Sequence, residues 1–169
     1  MKESSDYESW FYEGMKFQDI EQYYQAVDCF QKAIDCQPDF IPAWVYKGIA
    51  LEQLGDYEAA ISCYETAIKI HPKVADLWYN KGATLCNLHR YEEALICFDK
   101  VLEIDPYHAI CQTTRALTLA TIPNPTKLPK RKYSESERKP LEREEAIALS
   151  LSKQKQFPWE ICLEELEPE

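Results

Sequence analysis

From residue 7 onward, apolar and small residues recur three and four positions apart, with charged and amide side chains between them. In Trp10-x3-Gly14-x2-Phe17, and again in Tyr23-x2-Ala26-x3-Phe30-x2-Ala33, this spacing gathers the apolar set on one side of a helix. Both patterns return twice further along. Helices are therefore predicted over 7–20, 41–54 and 75–88 (A helices) and over 23–36, 57–70 and 91–104 (B helices), with turns at Glu21-Gln22, Gly55-Asp56 and His89-Arg90. The only proline inside them, Pro42, falls in a first turn, where a missing N–H is harmless. A further helix from Ala109 to Ala120 keeps the register, with Ala116 where the glycines stood.

The return has a fixed period of 34 residues. It aligns Trp10, Trp44 and Trp78; Gly14, Gly48 and Gly82; Tyr23, Tyr57 and Tyr91; and Ala26, Ala60 and Ala94. The aromatics Phe30, Tyr64 and Phe98, then Ala33, Ala67 and Val101, then Pro38, Pro72 and Pro106 complete the series. A period in this range marks stacked units that cannot bury their apolar faces alone. A glycine within a helix costs about 1 kcal/mol against alanine, so its threefold placement implies a close A/B approach. Each proline pushes the residue before it out of the helical region and so ends helix B.

These columns resemble the tetratricopeptide repeat, whose W…G…Y…A…F…A…P spacing is followed over residues 7–108, about 60% of the chain. The resemblance implies an all-α solenoid of three helix-turn-helix repeats, at 7–40, 41–74 and 75–108, closed by a capping helix at 109–120. An extension at 1–6, a basic proline-rich linker at 121–140 and an acidic helical tail at 141–169 flank this array. The chain departs from the family where a leucine is expected before each glycine, having Glu13, Lys47 and Lys81. It departs again where a tyrosine is replaced by Phe17, Leu51 and Leu85.

In that family the A helices line a concave surface that takes a partner's extended peptide or helix. By register, the groove residues are Glu8, Phe11, Tyr12, Met15, Gln18 and Asp19 in the first unit. The second supplies Val45, Tyr46, Ile49, Glu52 and Gln53, and the third Asp76, Tyr79, Asn80, Ala83, Cys86 and Asn87. The surface reads as apolar and aromatic, edged with acid. One subclass grips chaperone C-termini through a two-carboxylate clamp of Lys, Asn, Asn, Lys and Arg. The matching positions here are Phe11, Met15, Tyr46, Asp76 and Asn80, and Asp76 would repel a carboxylate, which argues against that ligand. An apolar segment carrying Lys or Arg fits better, its cations meeting Glu8, Asp19, Glu52 and Asp76. The same aromatics could instead pack between neighbouring A helices.

Charge sharpens this picture. Of the net −10, residues 1–120 carry −9 (10 basic, 19 acidic), the linker +4 (6 against 2) and the tail −5 (3 against 8). An acidic body repels phosphate backbones, so no nucleic-acid partner is expected. No window approaches the roughly 18 uninterrupted apolar residues of a membrane span, and no basic-then-apolar leader opens the chain. Seven cysteines without CxxC pairs, an odd number, argue against a disulfide framework and fit the reducing cytoplasm. Cys29, Cys63 and Cys97 repeat at 34 residues, but helices about 8–10 Å apart cannot bring such a ladder to zinc at about 2.3 Å. They read as core fillers, with no metal or cofactor expected.

No phosphate-binding glycine loop, HExxH or GxSxG motif occurs, and His71, His89 and His108 all fall at turns, where exposure is expected. The chain therefore reads as a non-catalytic protein-interaction adaptor or assembly factor. In the tail, Phe157, Trp159, Ile161 and Leu163 are candidate docking anchors for a second protein or for the chain's own repeats, which would make a self-regulated module. The helix at 142–152 has a weaker likeness to a ubiquitin-interacting motif, with Glu145 where an apolar residue is expected three before Ala148.

Overall fold

The computed structural model describes residues 6–122. Most of the linker and the whole tail, with Phe157, Trp159, Ile161, Leu163 and the 142–152 segment, lie outside the described residues. Within them are seven α-helices and no strand. They are α1 (Asp6–Asp19), α2 (Tyr23–Cys36), α3 (Ile41–Gln53), α4 (Tyr57–Ile70), α5 (Ala75–Asn87), α6 (Tyr91–Ile104) and α7 (Ala109–Thr121). The described residues divide into two units at Pro106/Tyr107, the first holding α1 to α6 and the second α7.

In the first unit α1 packs on α2, α3 on α4 and α5 on α6, while α2 meets α3 and α4 meets α5 across the repeat boundaries. The glycine columns explain the intimacy within each pair. A Cβ added to Gly14, Gly48 or Gly82 would lie 2.6, 2.7 and 2.7 Å from the rings of Phe30, Tyr64 and Phe98, all three fully buried. Glycine thus makes room for the B-helix aromatic of its own repeat, an apolar contact that repays the propensity lost. Ala26, Ala60 and Ala94, with Ala33, Ala67 and Val101, fill the rest of each A/B seam at zero exposure.

The A/B turns share one geometry. Glu21, Gly55 and His89 adopt φ of 60°, 79° and 58°. The next residue's N–H then returns to a helix carbonyl: Gln22 to Phe17 at 2.8 Å, Asp56 to Leu51 and Arg90 to Leu85 at 2.9 Å. This is a Schellman termination, which satisfies carbonyls the helix leaves open. Asp56 also caps α4, accepting from Ala59 N–H at 3.2 Å.

Two ties repeat between units. The indole N–H of Trp44 donates to Pro38 O, and that of Trp78 to Pro72 O, each at 2.9 Å. The lysines standing where the family has leucine reach back to the preceding B helix, Lys47 Nζ to Gln31 Oε1 and Lys81 Nζ to Glu65 Oε1 at 2.7 Å. The departure from the family pattern is thus an exchange of an apolar contact for a polar tie across the repeat boundary.

Cys29, Cys63 and Cys97 are buried on the B helices, and all six cysteines among the described residues are free thiols. Burial pushes the Cys97 thiol up to about 11, and raises Cys29 and Cys63 as well, so the ladder stays protonated and apolar in character. His71 and His89 are exposed, as turn positions should be. His108 departs from that expectation: it is half-buried and its Nδ1 caps α7 by accepting from Cys111 N–H at 3.1 Å.

Candidate functional site: the A-helix face

The register that buries one side of α1, α3 and α5 against the B helices leaves the opposite side for other contacts. On α1, Glu8, Tyr12 and Asp19 are exposed, Tyr12 by 60%, with Met15 and Gln18 half-buried. Val45, Tyr46, Ile49 and Glu52 on α3 are half-buried and Gln53 is exposed. On α5, Asp76 and Asn87 are exposed, while Tyr79, Asn80, Ala83 and Cys86 are half-buried.

The structure draws some of these side chains into packing. Phe11 is only 9% exposed and sits in an aromatic cluster, its ring centroid 5.2 Å from Phe40, 5.3 Å from Tyr46 and 5.8 Å from Phe30. Tyr46 joins the same cluster, 5.9 Å from Phe30, and Tyr79 lies 5.9 Å from Phe98. Met15 packs on this first core and Val45 on a second one formed by Ala67, Ile68 and Leu77. Tyr12 stays outside, touching the first core only through the edge of Phe11 at 5.9 Å.

The acids are not gathered at one point. Glu8 and Asp19 lie at opposite ends of α1, about 16 Å apart at the helical rise of about 1.5 Å per residue. Glu8 accepts from Tyr7 OH at 3.1 Å. Glu52 is set deeper. Its Oε1 accepts the hydroxyl of Tyr64 at 3.0 Å and that of Thr84, which joins α3, α4 and α5 through one carboxylate oxygen. Tyr64 and Thr84 are both fully buried, so each hydroxyl needs an acceptor. Burial first, and then the Glu52 charge, hold the Tyr64 phenol far above its ordinary range, which keeps it a donor. One repeat away, in the position matching Glu52, the Gln18 Oε1 is buried without a donor among the described residues.

Register alone did not single out Tyr64 or Thr84. The signal was in the columns: Tyr64 is the one hydroxyl-bearing member of the Phe30, Tyr64, Phe98 series, and a buried hydroxyl demands a polar neighbour.

Residues 41–74 and 75–108 each match the sequence model of the tetratricopeptide repeat. No curated protein matches the chain in sequence. Among solved structures it is similar to the first TPR of Spaghetti (RPAP3), bound to the HSP90 peptide SRMEEVD, with a TM-score of 0.64 and 22% identity over 69% of this chain and 92% of that one. It is similar to MamA, with a TM-score of 0.66 and 18% identity over 90% of this chain and 80% of that one. The TPR domain of Sgt2 from Aspergillus fumigatus gives a TM-score of 0.66 and 18% identity over 78% of this chain and 91% of that one. Residues 41–108 are thus two tetratricopeptide repeats by sequence, and α1 to α6 share one glycine-on-aromatic geometry and the solenoid fold of these structures.

Proposed function

We propose that the chain is a non-catalytic adaptor that holds a segment of another protein on its A-helix face. One observation carries this reading: Val45, Tyr46 and Ile49 on α3, with Tyr12 on α1, form an apolar set at the groove positions that stays open or partly open to solvent. Apolar side chains left at a surface as a set mark an interaction site. The similar Spaghetti domain was solved with a peptide bound, which supports the same use of the fold here. That peptide is acidic, whereas the matching positions here hold Phe11, Met15, Tyr46, Asp76 and Asn80, so a different ligand is favoured. With 19 acidic against 10 basic residues in 1–120, the fitting partner is apolar and carries Lys or Arg. No helix among the described residues is long and apolar enough to cross a membrane, and its free thiols suit the cytoplasm. The +4 linker gives a second reading, in which the tail occupies the chain's own acidic repeats and a partner must displace it.

Site-specific photo-crosslinking tests the assignment. A benzophenone amino acid replaces either Tyr12 on α1 or Tyr24 on α2, both exposed (60% and 74%) and so tolerant of the change. In cell extract, partner adducts are expected from position 12 and not from position 24. Adducts from position 24 alone would place binding on the B helices and end this reading. Adducts from position 12 to the chain's own tail would favour the self-occupied form.

A further inference from the structure

The polar network under the A-helix face is a costly solution if its purpose is structural alone. Phenylalanine at position 64, as at 30 and 98, would remove the buried phenol altogether. Thr84 has a second acceptor within reach on its own helix, Asn80 O at 2.8 Å, the kind Thr66 uses at Ser62 O (2.9 Å), so its one hydroxyl hydrogen does not require Glu52. A glutamine at position 52 would accept from Tyr64 equally well without bringing a charge into a half-buried place. Glutamate adds what those alternatives lack, a second oxygen with negative charge. Among the described residues no cation reaches it: Lys47 and Lys81, the lysines nearest in sequence on the A helices, are turned to Gln31 and Glu65 on the B helices. Both donors converge on Oε1, so the carboxylate is held from one side.

Resting on the adaptor reading above, we propose that Glu52 is the cation-recognition point of the A-helix face. Tyr64 and Thr84 fix its carboxylate so that Oε2 takes a lysine or arginine of a partner peptide whose neighbouring residues are apolar. Tyr64 and Thr84 act as positioning residues, since they touch the carboxylate and not the peptide. The flanks match: Ile49 and Val45 lie three and seven residues before Glu52, on the same side of α3, and both are partly open. A carboxylate already restrained loses less conformational entropy on binding than a free surface glutamate, and its charge in a half-buried place is less screened.

The test is selection from a random heptapeptide library on the full-length protein, followed by titration of the best peptide and of its lysine-to-norleucine counterpart. Wild type is expected to enrich apolar peptides with one fixed basic position and to prefer lysine over norleucine by about tenfold. In Glu52→Gln, which keeps a carbonyl for both hydroxyls, that ratio should fall to about one while apolar enrichment persists. In Tyr64→Phe, which matches the other two repeats, the ratio should take an intermediate value, and this variant serves if Glu52→Gln melts early. Apolar enrichment without a basic position, or an unchanged ratio in Glu52→Gln, overturns the Glu52 assignment and leaves the adaptor reading standing. No enrichment of any peptide on wild type overturns both.

Discussion

Gly48 shows how much one residue decides. Replacing it with alanine would gain about 1 kcal/mol of helix propensity. The new Cβ would meet the Tyr64 ring at 2.7 Å, and that ring cannot retreat because it is fully buried and its hydroxyl is bound to Glu52. Overpacking typically costs about 1–3 kcal/mol, so the clash outweighs the propensity. We expect Gly48→Ala to lower the melting temperature by circular dichroism, and Tyr64→Leu in the same chain to recover part of the loss. A higher melting temperature for Gly48→Ala would refute the close-contact account. The glycine and aromatic columns were legible in the sequence because they recur. Phe11 was not: register placed it in the groove with Val45 and Tyr79, which stay half-buried, but Phe40 and Tyr46 close over it. The residues matching Phe40 are Val74 and His108, so this enclosure comes from side chains that break the repeat.

Among the elements, the B helices end at Cys36, Ile70 and Ile104 as predicted, and each A helix ends one residue earlier than its pattern suggests, at Asp19, Gln53 and Asn87. The difference has a physical source. B helices are stopped by proline, a signal written in the residue type, whereas A helices are stopped by a left-handed residue that is glycine in one repeat of three. At Gly55 the conformation is the whole requirement, since φ is 79° and a Cβ there would meet nothing within 4 Å. We therefore expect Gly55→Ala to cost about 1 kcal/mol, from the left-handed backbone alone, and Gly55→Asn to cost less. Urea denaturation midpoints should fall in the order Gly, Asn, Ala, and an alanine variant as stable as wild type would mean the turn relaxes out of this geometry. Asp56→Ala should add a loss of about 0.5–2 kcal/mol through the missing cap of α4.

At the scale of the whole array, the two repeat boundaries hold by different forces, although the 34-residue period makes them look alike. Both share the tryptophan-to-carbonyl tie. Between the first and second repeats lies the aromatic cluster of Phe11, Phe30, Phe40 and Tyr46, and the lysine tie there, Lys47 to Gln31, joins a charge to a neutral amide. Between the second and third repeats the smaller cluster of Ala67, Ile68 and Leu77 is joined by two ion pairs, Lys81–Glu65 at 2.7 Å and Arg90–Glu58 at 3.1 Å. Arg90 also holds Glu93 at 2.6 Å, and that hydrogen bond lowers the Glu93 carboxyl below its ordinary range. Exposed ion pairs contribute about 0.2–1 kcal/mol each and weaken as the Debye length shrinks from about 10 Å at 0.1 M salt to about 3 Å at 1 M. Aromatic packing carries no such dependence. In a solenoid each repeat depends on its neighbour's interface, so a loosened second boundary should be felt in the third repeat before the first. We expect hydrogen-exchange protection in α6 to fall about threefold between 0.05 M and 1 M potassium chloride while protection in α2 holds. Lys81→Met and Arg90→Met together should remove most of that salt response. If α2 loses protection as much as α6, or if the double variant responds to salt as wild type does, the difference between the boundaries is not electrostatic.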